Sequence, residues 1–236
     1  MDEKKLKRCS RHDFVIVSPT GRGRICTEVL KNYSATEQHM VRDVFSGKYG
    51  INGIPGIVRR AEIAKEDVIP VGFVPPERLA GRRLRIGAFA HFAEVLDVIP
   101  PYKLLQMAIN KRNSCMEAVS EVAKLAISAS KAVGVLGSAG LEIFTGITYT
   151  NEESDIDLVL KDCTYEEITK IFKQIKAIGT YYNIPIDLEI ALTNGYGIKA
   201  EELFMDTRTL LGKSLEEVTL LDRKAVLKAL TKKREE

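Results

Sequence analysis

The sequence predicts an α/β alternation of the α+β kind, built around a mixed sheet, and three observations carry that prediction. In the second half, short apolar runs bounded by Gly, Asn, Asp or Ser alternate with stretches of helical periodicity. At 236 residues, with 45% hydrophobic and 28% charged content, the chain has the composition of an ordinary globular protein and enough length for one large core or two modest ones. A change of pattern across residues 98–114 divides it into a smaller N-terminal α+β part, 1–113, and a C-terminal part, 114–236.

The elements follow in order. DFVIVSP, residues 13–19, is an apolar run stopped by proline and reads as a strand, and TEVLKNYSATEQHMVRDVF has helical spacing in parts. GIVRRAEI and DVIPVGFVP, residues 56–63 and 67–75, read as a hairpin, with Pro70 favouring an edge or a bulge because it brings no N–H to a ladder. RLAGRRLRIGAFAHFAEVLDVI reads as a loop feeding a helix over 83–97, which Pro100-Pro101 ends before a further helix with YKLLQMAINKR as its body. A long helix is expected over 114–131, where apolar residues recur at i, i+3 and i+4. VGVLGS then reads as a strand entering a tight turn, SDIDLVL as a two-faced strand and YEEITKIFKQIKAIGTYYN as an amphipathic helix. NIPIDLEIAL is another strand, AEELFM a short helix, EVTLL a last strand and DRKAVLKALTKKREE a basic terminal helix.

Composition excludes several classes. The charged start MDEKKLKRCSRHD has no apolar run after it to serve as a signal peptide, and no run reaches the roughly 18 residues that cross a bilayer. Cys9, Cys26, Cys115 and Cys163 are scattered without metal-ligand spacing, as expected for reduced thiols in a cytoplasmic protein. A net charge of +3 is too slight to argue for a nucleic-acid partner. Local excess at Arg59, Arg60, Arg78, Arg82, Arg83 and Arg85 suits either a phosphate-bearing small ligand or a solvated face.

The chemistry concentrates in GSAGLEIFTGITYTNEESDIDLVL, residues 137–160. Side chains two apart in a strand share a face, so Asp155 and Asp157 project together while Ile156 and Leu158 face a core. A solvent-exposed strand face accounts for a lone D-x-D; paired carboxylates also suit Mg²⁺ or Mn²⁺ held together with substrate phosphates. Asp187, in NIPIDLEI, is the preferred third carboxylate, with Glu189 on the same face. Upstream, Gly137 ends a strand and Ser138 opens a short helix, an arrangement that brings backbone N–H groups to an anion; the Ser138 hydroxyl either caps that helix or meets a phosphate.

The order Gly-Ser, D-x-D, third Asp resembles the nucleotidyltransferase superfamily related to DNA polymerase β. The series Gly137-Ser138, Thr145-Gly146, Tyr149 and Ser154 to Leu158, with RHDFVIV at 11–17 and PVGFVPPERLAGRRLRI at 70–86, is similar to the phosphoribosyl-dephospho-CoA transferases, the holo-acyl-carrier-protein synthases of malonate decarboxylase. Leu141 stands where that family has an aromatic residue, and Asp187-Leu188-Glu189 replaces its Asp-Gly-Glu.

The resemblance implies a polymerase-β-like nucleotidyltransferase domain over 114–236. It also implies transfer of the prosthetic group from triphosphoribosyl-dephospho-CoA to a serine of the apo acyl-carrier protein of malonate decarboxylase, with release of pyrophosphate. Asp155 and Asp157 would hold the cation, Asp187 would share it or activate the serine, and Gly137, Ser138, Arg82, Arg83 and Arg85 would take the phosphates. Two alternatives stand beside it: a nucleotidyltransferase acting on another protein or on RNA, and a silent module that binds a carrier protein.

Overall fold

In a computed structural model, which describes residues 9–51, 53–60 and 67–231, the DFVIVSP run forms β1 (Phe14–Val17) with all four residues buried. The charged residues 1–8 lie outside the described residues, as do residues 232–236 of the expected terminal helix and residues 61–66, where the charged turn of the hairpin is expected. Contacts divide the chain into two units: residues up to Pro100 with Ile147–Tyr149, and Pro101–Gly146 with Thr150 onward.

In the first unit, Pro19 does more than stop β1. It sits in the first turn of α1 (Pro19–Leu30), where its missing N–H costs nothing, and the Ser18 hydroxyl caps the helix by accepting from Gly21 N at 3.2 Å. A second helix, α2 (Ala35–Phe45), starts at a Ser34/Glu37 capping box. The helical periodicity of residues 27–45 thus belongs to the end of one helix and the whole of the next.

The hairpin forms: β2 (Gly56–Val58) pairs antiparallel with β3 (Val68–Phe73). Its second strand is internal, not an edge, since the sheet order is β6-β3-β2-β1-β7, with β6 at Ile86–His91 and β7 at Val95–Ile99. Pro70 is tolerated there because of where it points. Arg59 N donates to Pro70 O at 3.0 Å, so the side of Pro70 that lacks a donor faces the place where β2 runs out.

The helix expected over 83–97 is corrected by the structure. That stretch contains β5 (Arg82–Arg83), which pairs with β4 (Arg78–Leu79), followed by β6, a 3₁₀ turn and β7. The reason is an ambiguity of period. Ile86 and Ala90, both fully buried, are four residues apart, a spacing that serves one face of a helix and one face of a strand equally. Pairing with β3 along its whole length, Val68↔His91 through Phe73↔Ile86, settles the matter as a strand.

The second unit begins at Pro101, ahead of the boundary placed at 113. YKLLQMAINKR is not a helix body. Only a 3₁₀ segment, Pro101–Gln106, forms, burying Leu104 and Leu105, and Pro101 lies so close to Gly134 that a Cβ added there would meet its backbone at 3.0 Å. The rest follows the predicted alternation: α3 (Ser114–Ala129), β8 (Ala132–Val135), α4 (Gly137–Thr145), β9 (Ile156–Lys161), α5 (Tyr165–Tyr182) and β10 (Ile186–Ala191). AEELFM becomes a 3₁₀ turn at Ala200–Phe204, and β13 (Val218–Asp222) leads directly into α6 (Arg223–Thr231). Two short strands, β11 (Gly197–Lys199) and β12 (Thr209–Lys213), complete a six-stranded sheet in the order β13-β12-β11-β10-β9-β8. This sheet is mixed: β9 and β10 are parallel and their other neighbours antiparallel, which gives the α+β architecture predicted.

Candidate functional site

Strand period places the acidic groups. Ile156, Leu158 and Leu160 of β9 and Ile186, Leu188 and Ile190 of β10 are buried on one side of the sheet. Asp157, half-buried, and Asp187, exposed, occupy the other side. The parallel register sets Asp157 directly opposite Asp187, Cα atoms about 4.8 Å apart as in any adjacent strands. Asp155 is exposed and stands one residue before β9 begins, outside the ladder proper. Glu189 is half-buried, further along β10 and opposite Val159.

A lysine absent from the sequence reading joins them. Lys199 of β11 lies opposite Glu189, and its Nζ donates to Asp187 Oδ2 at 3.0 Å; this hydrogen bond raises the Lys199 pKa. Asp187 therefore already holds one cation. Nothing in the local sequence marks Lys199, because the contact depends on a strand of three residues.

Gly137 closes the site from above. Leu136 N donates to Asp157 O at 2.8 Å, and Gly137 follows at φ +58, a left-handed conformation that only glycine adopts without strain. A Cβ at 137 would lie 2.7 Å from Asp157 Oδ2, so the absence of a side chain lets the carboxylate stand against the start of α4. That helix has Leu136 as its N-cap and no side-chain cap; the capping use of Ser138 is not taken. The start of α4 at Gly137 thus stands beside the Asp157 carboxylate, with Ser138 the next residue of its first turn.

Behind the site is an ion-pair network that sequence reading missed. Glu142, buried on α4, takes Arg112 Nε at 2.6 Å and Nη2 at 3.0 Å, together with Thr150 N at 2.7 Å and Thr150 Oγ1 at 2.8 Å. Arg112 Nη2 also donates to the Thr150 carbonyl, and Asn113 Nδ2 donates to Thr150 Oγ1 at 3.0 Å. Asn113 in turn caps α3 through Met116 N, and Ser114 N donates to Glu152. Buried Ser154 accepts from Asn151 N and donates to Asn151 Oδ1, both at 2.9 Å. From Thr150 to Ser154 the loop entering the D-x-D is therefore anchored to α3 or α4, or folded on itself. No local pattern marks this network, because Arg112 and Glu142 lie on separate elements and only the fold joins them.

The thiols are structural. Burial, with Glu142 and Asp155 adding negative charge, pushes Cys115 up to about 12; burial pushes Cys9 and Cys163 up to about 11. All four cysteines are free. Their raised values imply a stability contribution that is full below the thiol pKa of the unfolded chain, about 8.5, and is lost as pH climbs toward 12. Below pH 8 a thiol reagent is expected to label the folded protein slowly and to reach four equivalents only in denaturant; rapid labelling of Cys115 in the folded state would contradict this.

The arginines fall in the first unit. Arg82 and Arg85 are exposed. Arg83 is drawn into structure: it donates to the Pro76 and Tyr149 carbonyls and lies 5.4 Å from the Tyr149 ring centroid, while Tyr149 OH donates to Val74 O at 2.8 Å. The RHD segment is a turn. His12 has φ +73, its N donates to Val58 O, and buried Asp13 accepts from Ser10 N at 2.8 Å.

Among the described residues no three His, Cys, Asp or Glu side chains converge as a ready-made metal cage, and no helix is long and apolar enough to cross a membrane. The model of the phosphoribosyl-dephospho-CoA transferase MdcG C-terminal domain matches residues 103–224, and that of the N-terminal domain matches 10–101. A phosphoribosyl-dephospho-CoA transferase of Bradyrhizobium diazoefficiens is 26% identical over 222 residues, 94% of this chain and 93% of the relative. One from Pseudomonas fluorescens is 28% identical over 149 residues, 63% of this chain and 68% of the relative. No solved structure matches at a significant level.

Proposed function

Because the chain belongs to the MdcG family of phosphoribosyl-dephospho-CoA transferases, we propose that it moves a phosphoribosyl-dephospho-CoA group from an activated donor to a carrier protein. The observation that supports this most is the meeting of Gly137, Asp157 and Asp187 on the open face of the sheet, where β9 and β10 begin, a constellation suited to a phosphate chain. In finer terms, the donor is triphosphoribosyl-dephospho-CoA and the acceptor a serine on the apo carrier protein of malonate decarboxylase. The serine oxygen forms a bond to the donor's α-phosphorus, the bond from that phosphorus to pyrophosphate breaks, and the serine proton passes to a carboxylate.

The donor set fits Mg²⁺ or Mn²⁺. Such ions take one or two carboxylates and complete their shell with phosphate oxygens and water, so Asp155 and Asp157 suffice without a three-residue cage. When bound, the ion neutralises charge on the triphosphate and the departing pyrophosphate. The chain's own residues do the rest. The first turn of α4, with Ser138, receives the leaving phosphates. Asp187 faces the incoming hydroxyl as proton acceptor or shares the cation, and Lys199 holds its carboxylate in place. Arg82 and Arg85 of the first unit are exposed, and their guanidinium groups suit phosphate oxygens. Catalysis then rests on positioning and charge neutralisation, as phosphoryl transfer generally does.

The test is a mass measurement. Apo carrier protein incubated with the chain, Mg²⁺ and the triphosphoribosyl donor is expected to gain the mass of the prosthetic group, with release of pyrophosphate. Transfer of plain nucleotides, with the CoA derivative ignored, would overturn the donor and leave the nucleotidyltransferase reading.

A further inference from the structure

Asp157, Asp187, Glu189 and Lys199 all leave the open face of the second unit's sheet, and they do not combine evenly. Asp157 stands opposite Asp187, Glu189 lies two residues further along β10, and Lys199 stands opposite Glu189. Lys199 nevertheless bonds to the more distant carboxylate. Its Nζ crosses back to Asp187 Oδ2 at 3.0 Å, while Glu201 and Asp157 act on it from further away. Among the described residues the side chains of Asp187 and Lys199 have only each other as hydrogen-bond and ion-pair partners. Both are more than half exposed, Lys199 53% and Asp187 58%, and pairs so open to water add little to stability. An ammonium carries three donors; one goes to Asp187, and two are without a protein acceptor among the described residues.

Strand order gives the pair its place. The sheet runs β8-β9-β10-β11, and α4 follows β8 directly, with Gly137 against the Asp157 carboxylate. The start of α4, Asp157, Asp187 and Lys199 therefore follow one another across the open face. The end that receives the departing pyrophosphate is at α4. Lys199 is at the other end, beyond the carboxylate that faces the incoming hydroxyl.

We propose that Lys199 supplies the second positive charge of the site. The chain then holds a single divalent ion, on Asp155 and Asp157, and the Lys199 ammonium meets the donor's α-phosphate where a two-ion site would carry its other ion. This rests on the transferase reading and narrows it: Asp187 is the proton acceptor, positioned by a lysine, and not a ligand of the cation. One or two carboxylates with phosphate oxygens and water complete a Mg²⁺ or Mn²⁺ shell, so Asp187 is not needed there. A second ion on Asp187 would have to displace the ammonium or stand against its charge. As the serine oxygen bonds to the α-phosphorus and the bond to pyrophosphate breaks, the ammonium donates to the non-bridging oxygens of that phosphorus. It keeps its own protons, and the serine proton goes to Asp187.

A charge-neutral deletion tests this. Asp187→Asn combined with Lys199→Met removes one negative and one positive charge and leaves the field at Asp155 and Asp157 little changed. Mn²⁺ titration followed by electron paramagnetic resonance should count one ion per chain in the parent and the double variant, with affinities within about twofold. Two ions per parent chain, or a loss of about tenfold or more in the double variant, would make Asp187 a ligand and overturn the proposal. Inorganic tripolyphosphate, bound in the presence of Mn²⁺ and measured by calorimetry, tests the lysine itself. In the Asp187→Asn background Lys199 has no carboxylate to hold, yet adding Lys199→Met should still weaken tripolyphosphate binding by about tenfold. Equal binding by Asp187→Asn and the double variant would reduce Lys199 to a holder of Asp187, and the proposal would fall. Neither readout uses the donor or the carrier protein, so their outcome is separate from that of the mass assay.

Discussion

Asparagine in place of Asp157 is expected to leave the chain folded and to reduce prosthetic-group transfer by on the order of a thousandfold, about 4 kcal/mol of lost transition-state stabilisation. The size of the effect follows from where the residue stands. Asp157 is half-buried on the open face of β9; its neighbours Ile156 and Leu158 supply the packing. Asparagine preserves the shape of the side chain against Gly137 and removes the charge beside Asp187, the one property a cation or a triphosphate would respond to. Asp155→Asn should act in the same direction, although that residue is exposed and stands outside the ladder. Melting curves of both variants should overlay that of the parent, while the carrier-protein mass assay shows little or no product. Full activity in either variant would remove that aspartate from the site.

What the sequence revealed and what it hid divide along physical lines. The two faces of SDIDLVL were legible because a strand's period is two, and Ile156, Leu158 and Leu160 mark the core side without help from any other segment. The helix starts at Pro19, Ser34 and Thr164 rest on equally local chemistry, although the sequence reading took Pro19 only as the end of a strand and named neither cap. Residues 86–90 were misread because their spacing fits both periods, and only the strand beside them decides. The Lys199 contact and the Arg112–Glu142 network were invisible for a related reason: each depends on segments distant in sequence, and neither carries a local pattern. The register of β9 against β10 is also a long-range property. The sequence supplied Asp157 and Asp187, and the fold places them opposite one another.

The network gives the second large expectation, which concerns stability. Arg112→Met is expected to destabilise the chain by about 3 kcal/mol, the low end for breaking a buried pair because the Arg112 side chain is itself 30% exposed. The cost arises from what remains. Glu142, 6% exposed, would keep the donors of Thr150 but lose the Arg112 cation and two hydrogen bonds, while the Thr150 carbonyl loses a donor. Glu142→Gln in the same background should recover part of the loss, because a neutral amide is cheaper to bury than an unpaired carboxylate. The two substitutions should therefore couple, by about 1–2 kcal/mol in a double-mutant cycle read from urea unfolding. Transfer should fall in Arg112→Met as well, since Thr150 anchors the loop that delivers Asp155 and Asp157. Simple additivity of the two substitutions, or a single-variant cost within the ordinary range for a surface arginine, would show that the Arg112–Glu142 pair does not hold the loop.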